Sequence, residues 1–121
     1  PRLEVVGVDR LQPGTVELNH NLRTNQAAEV IADVKDFKSE VKDVKVQFTH
    51  VPLEVPMKNV GGTTWRAELS PEQLQMLAVS GTTIRYDANI VAKDDNGQTA
   101  ISSKPVQITI KAPDMSDNST G

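Results

Sequence analysis

Tyr86-Asp87-Ala88-Asn89-Ile90-Val91-Ala92-Lys93-Asp94-Asp95-Asn96-Gly97 is the stretch that decides the fold. Tyr86, Ala88, Ile90 and Ala92 fall on every second position, while Asp87, Asn89 and Lys93 occupy the opposite phase. A period of two describes a strand with one buried face, because successive side chains point to opposite sides of a sheet. Asp94 to Gly97 breaks the run, and a second extended segment follows through Val106, Ile108 and Ile110. Asn96-Gly97 offers the two positive-φ positions of a tight type I′ turn, so the spacing predicts a hairpin. It reads as the terminal hairpin of an antiparallel β-sandwich.

Working toward the N-terminus, Ser70-Pro71-Glu72-Gln73 carries helix-start chemistry: an N-cap, a proline at the first helical position and a capping-box glutamine. Leu74 and Leu77 give one short helical turn near 71–77 an apolar face, and Ser80-Gly81 follows. Such a turn is placed to cross from one sheet to the other. Gly61-Gly62 turns the chain into a strand at 64–69 with Trp65, Ala67 and Leu69 in phase. Pro52 and Pro56 confine their stretch to an edge or loop.

The segment from Val34 to Val44 carries two periodicities. Val34, Phe37, Val41 and Val44 recur at helical steps, and Asp33 to Lys45 alternates in charge sign as a solvated helix does. Val44, Val46 and Phe48 alternate cleanly, and β-branched residues dominate both flanks. The reading adopted is a strand at 28–35, a charged loop through Ser39 and a strand at 43–51. Leu3 to Val8 predicts a first strand with a bulge at Gly7. Gln12-Pro13-Gly14 is turn chemistry, Val16 and Leu18 continue the edge, and 19–25 is a polar loop.

Composition bounds the function. The 121 residues suffice for one domain with its own core, expected over 1–111, with 112–121 as tail or linker. Only four residues are aromatic (two Phe, one Trp, one Tyr), so the core must be aliphatic. A net charge of −3 and a pI near 5.3 argue against nucleic acid or an anionic membrane as partner. With no cysteine there is no disulfide framework and no thiol chemistry. No apolar run approaches the length of a membrane span or a signal core. A chain starting at Pro1 rather than Met leads us to expect either a removed leader or a module of a longer protein.

The pattern resembles bacterial immunoglobulin-like and fibronectin type III-like modules of exported proteins. The resemblance rests on Val44-Lys45-Val46-Gln47-Phe48, on Pro56-Met57, on Gly61 to Ala67 leading into the Trp65 strand, and on Gly81 to Gly97. It covers about residues 28–111 and implies an all-β, antiparallel, two-sheet immunoglobulin-like sandwich of about seven strands. Residues 35–42 depart from it, being longer than a tight connection requires. Such sandwiches carry many roles, so the resemblance transfers no catalytic residue.

Each candidate side chain has a structural reading. Tyr86 fits a tyrosine corner, its hydroxyl bonded to an upstream backbone group. Trp65 is either a sugar-stacking platform or core, and its phase with Ala67 and Leu69 favours core. Asp94, Asp95 and Asn96 beside Gly97 supply half of a calcium loop without its closing acidic ligand, and a hairpin turn accounts for the same residues in full. His20 and His50, the only histidines, lack partners at zinc spacing. No Gly-x-Ser-x-Gly elbow occurs. Asn118-Ser119-Thr120 matches a glycosylation sequon in a polar tail. The charged run from Asp33 to Lys45 is a solvated face or a protein-contact surface.

The expectation is therefore a non-enzyme without cofactor or metal. It serves as a structural, spacer or protein-contact module of a larger exported or surface protein in an extracytoplasmic compartment. Its partners are neighbouring domains or another protein. The alternative is a carbohydrate- or ligand-binding accessory module, with His20, Asn21, Pro52, Pro56 and Met57 as candidate contact-loop residues.

Overall fold

The computed structural model describes residues 3–8 and 12–114. Among them ten strands and one helix follow in the order β1 (Leu3–Val8), β2 (Thr15–Glu17), β3 (Ala28–Asp36), β4 (Val41–Phe48), β5 (Glu54–Pro56), β6 (Lys58–Gly61), β7 (Thr64–Leu69), α1 (Pro71–Leu77), β8 (Thr83–Asp94), β9 (Thr99–Ile101) and β10 (Val106–Lys111). One sheet has the order β1-β3-β7-β6 and the other β2-β10-β8-β4-β5, with β9 also on β8. This is the strand arrangement of an immunoglobulin-like sandwich.

The strand count exceeds the expected seven, for local physical reasons. The first edge is divided: β1 pairs with β3, and β2 then lies parallel to β10 in the other sheet. The last strand is divided as well. β9 and β10 both run antiparallel to β8, but the intervening residues 102–105, including Pro105, outnumber Asn89 and Ile90 opposite them, and only Ser102 keeps bonds to β8, at Ile90. A proline cannot donate to a ladder, so the interruption falls where the sequence has one. β5 and β6 are short strands on the outer edges of the two sheets. The first-strand bulge is present, with the register shifting between Val5 and Gly7.

The Val34–Val44 ambiguity resolves to strands. β3 runs to Asp36, a four-residue loop crosses to the other sheet, and β4 begins at Val41, two residues earlier than expected, with a bulge before Asp43. The connection is thus tighter than the charge run suggests. β4 stops at Phe48 rather than 51, because the chain folds back so that the Phe48 N–H reaches the Leu53 carbonyl.

The core fills the space between the sheets. Ala28, Val30, Ala32 and Val34 of β3, with Trp65, Ala67 and Leu69 of β7, face Val44, Val46 and Phe48 of β4, Ala88, Ile90 and Ala92 of β8, and Val106, Ile108 and Ile110 of β10. Leu74 and Leu77 of α1 are buried in the same cluster. The capping box forms: the Gln73 N–H donates to Ser70 Oγ at 3.1 Å and the Ser70 N–H donates to Gln73 Oε1 at 2.9 Å. As expected, α1 carries the chain from the first sheet to the second. The packed unit extends past the anticipated boundary at 111. Ala112 is buried, its N–H donates to the Thr82 carbonyl, and Pro113 accepts from the Gly81 N–H. The rest of the expected tail, from 115 on, lies outside the described residues, as does the Asn118 sequon.

The hairpin turn corrects one expectation. A type I′ turn needs positive φ at both Asn96 and Gly97, and only Gly97 has it, at +83°. The Gly97 N–H donates to the Asp94 carbonyl and the Asp94 N–H to that of Gln98, a three-residue loop with glycine in the left-handed position. The Asp94 carboxylate imposes this form by accepting from the N–H groups of both Asn96 (3.0 Å) and Gln98 (2.8 Å). A Cβ on Gly97 meets nothing within 4 Å, so the cost of adding one is conformational alone. Gly97→Ala is expected to destabilise by about 1–2 kcal/mol, and Asn96→Ala by less. Denaturant titration of both variants checks this, and the reverse order points back to type I′.

Candidate functional site

The sandwich presents two ends. At one, β3 finishes, β4 begins and β8 turns, bringing together the loop 37–40, the turn 61–63 and the turn 95–98. β1 also starts there, Leu3 pairing with Asp36. The other end gathers the loop 18–27, the loop 49–53 and α1.

The candidate contact residues fall mostly at the second end. His20 and Asn21 are exposed at the tip of a loop held by its own residues. Asn19 Oδ1 accepts from the N–H groups of Asn21 and Arg23, and Leu22 adopts a left-handed φ of 58°. Pro52 is exposed in the 49–53 loop and His50 is exposed beside it. Pro56 is exposed on the edge strand β5. Met57 departs from the expectation: it is buried, with its N–H bonded to the Val44 carbonyl. As an apolar residue in phase with Val55, it points into the core rather than toward a ligand.

Trp65 is buried on β7, opposite Ala32 and Asn59. One edge of it reaches a cleft at the first end, lined also by Val34, Phe37, Ser39 and Thr63. Phe37 is 67% exposed on the rim, the most prominent aromatic surface that sequence reading did not single out. The polar groups around this cleft are engaged by the protein itself. Asn59 donates to the Gly62 carbonyl and accepts from the Gly61 N–H. Thr63 and Thr64 hydroxyls donate to Asp33 Oδ1, and Asn96 Nδ2 donates to Ser39 Oγ. A sugar would have to compete with these bonds for contacts to Asn59, Ser39 and Thr63.

Two carboxyls sit beneath the same end. Asp36 Oδ1 accepts from the N–H groups of Lys38 (2.9 Å) and Ser39 (2.8 Å), tying the loop down. The Lys38 N–H is the main influence holding the Asp36 carboxyl below its ordinary pKa; burial opposes it, while the Ser39 N–H and the Asp94 carboxyl add to the lowering. Asp94 is itself buried, at 1% exposure. Among the described residues no group of three or more His, Cys, Asp or Glu side chains is placed to hold a metal ion.

The outer faces carry solvated ion pairs. Arg66 bonds Glu29 at 2.5 Å and approaches Glu68 at 3.6 Å, and Glu29 raises its pKa. Glu54 is lowered first by its hydrogen bond from Gln47 and then by Lys45, whose Nζ lies 3.0 Å away. Being exposed, these pairs contribute little to stability and chiefly keep the faces soluble.

No family model and no curated protein matches the chain. Among solved structures it is similar to one described as "Structures of Clostridium thermocellum CbhA fibronectin(III)-like modules", with 14% identity and a TM-score of 0.45. The similarity covers 94% of this chain and 47% of that one, so the chain spans about half the length of that structure.

Proposed function

We propose that the chain is a non-catalytic spacer or protein-contact module of a larger exported or surface bacterial protein. The supporting observation is its end-to-end path. β1 starts beside Asp36 at one end, and the described chain leaves β10 at the other, where Ala112 bonds Thr82. At about 3.3 Å per residue along β8, a chain passing through the module advances by roughly 35 Å. That advance is set by a packed core rather than by a flexible linker. The partners in this reading are neighbouring domains or another protein, in an extracytoplasmic compartment.

The test has two arms. The isolated chain is expected to hydrolyse none of a panel of ester, peptide and glycoside substrates and to bind none of a panel of common polysaccharides. Deleting it from a longer protein that contains it is expected to lower stability, export or partner attachment, with turnover on small substrates unchanged. Glycan binding abolished by substitutions at 20–25 or 52–57 would instead establish a carbohydrate-binding accessory module.

A further inference from the structure

The inner-face series of β3 and β8 both end in aspartate. Val30, Ala32 and Val34 lead to Asp36, and Ala88, Ile90 and Ala92 lead to Asp94. Each carboxyl has Oδ1 bonded to two backbone N–H groups. In each, Oδ2 is buried and has no hydrogen-bond partner. The two carboxyls come together at one end of the sandwich: Val41 pairs with Asp94, and Asn96, whose N–H donates to Asp94, bonds Ser39, whose N–H donates to Asp36. If both were ionised, two desolvated negative oxygens would face one another, each without a donor. One proton between them removes the repulsion and satisfies both atoms.

We propose that Asp36 and Asp94 share one proton at neutral pH through an O–H···O bond between their Oδ2 atoms, forming a pH-sensitive clasp between the 37–40 loop and the β8–β9 turn. Two other bonds join the same elements, from the Asp95 N–H to the Glu40 carbonyl and from Asn96 Nδ2 to Ser39 Oγ. A cation is a poorer occupant. Calcium takes about six to eight oxygens, whereas here the immediate surroundings of the carboxyls are N–H donors.

The linkage has a definite sign. In the unfolded chain both carboxyls lose their protons near the ordinary value of about 3.9. Above that the folded pair retains one proton that the unfolded chain has lost, so stability falls as pH rises. Below it, stability falls with pH instead, as the lowered Asp36 is protonated. The charged groups around the pair are Glu4 of β1, Lys35 of β3, Lys38 and Glu40 of the loop, Lys42 and Asp43 of β4, Lys93 of β8 and Asp95 of the turn. All are exposed and of both signs, so solvent and salt screen them.

The experiment follows the thermal midpoint from pH 5 to pH 9 for the unsubstituted chain, Asp36→Asn and Asp94→Asn. An amide donates to the facing carboxylate without needing a proton. The unsubstituted midpoint is expected to fall by about 5 °C or more across this range, and either Asn variant is expected to flatten that fall. Infrared spectra at pH 7 are expected to show a protonated carboxyl band that both Asn variants lose. This readout on the unsubstituted chain stands even where a variant fails to fold. Equal pH slopes in all three proteins, absence of the band, or a midpoint raised at pH 8 by calcium but not by magnesium or sodium would overturn the shared proton.

Discussion

Trp65→Ala is expected to lower the free energy of unfolding by about 3–5 kcal/mol, the range for truncating a large buried aromatic. The indole lies on the inner face of β7 in phase with Ala67 and Leu69. Its strand neighbour toward β3 is Ala32. Small residues beside a large one mean that nothing can swing in to fill the void, and the cost of a truncation grows with the cavity left behind. Because Trp65 is the only tryptophan, the comparison must follow circular dichroism rather than fluorescence, with the denaturant slope checked for constancy. Trp65→Phe keeps most of the volume and is expected to cost less than half as much. A loss below about 1 kcal/mol for Trp65→Ala would place the ring at the surface. The sugar-platform reading would then regain its main aromatic, with Phe37 beside it.

Much of this fold was legible because its strands are long enough to express their period. β8, β3 and β10 each repeat the buried phase three times or more, so neither face nor direction is ambiguous. The α1 boundaries were legible for a different reason: capping chemistry is local, and Ser70, Pro71 and Gln73 carry it whatever the rest of the chain does. β5 and β6 were harder to read. Strands of three or four residues hardly complete one alternation, and their identity comes from the partner strand. The turn at Asn96-Gly97 misled because the dipeptide suits two hairpin geometries. What selects between them is the buried carboxyl of Asp94, two residues before the motif.

The candidate site was less legible, and the reason is physical. Asp36 and Asp94 occupy the buried phase of their own strands, which the alternation alone could have flagged: Val30, Ala32, Val34, Asp36 and Ala88, Ile90, Ala92, Asp94. Read singly, each is a strand-end aspartate next to a turn. That they meet is a property of the sandwich, whose two sheets bring residues 58 positions apart together at one end. Phe37 escaped notice for the opposite reason, since it falls in the stretch read as a charged loop, where no alternation marks a face. Met57 was misplaced because Pro56-Met57 reads as loop chemistry, while its phase with Val55 carries it inward.

Tyr86→Phe is expected to destabilise by about 1–3 kcal/mol, the penalty for leaving a buried polar partner unpaired. The corner forms as the sequence predicts, and the structure identifies its acceptor. Tyr86 Oη donates to the carbonyl of Leu77, nine residues upstream. Leu77 is the last residue of α1, so its carbonyl has no partner within the helix. The tyrosine thus closes a helix end, and with it the passage from the first sheet to the second. Phenylalanine keeps the ring, including its edge-to-face contact with Phe48 at 6.1 Å and 74°. The measured loss therefore isolates the hydroxyl. Because the defect is local, amide exchange is expected to quicken most in α1 and in the following residues up to Thr83, with β3 and β8 nearly unchanged. An unaltered unfolding free energy with unaltered exchange in α1 would show that solvent replaces the hydroxyl at no cost. Uniformly faster exchange across both sheets would mean instead that the corner supports the whole sandwich rather than the helix it caps.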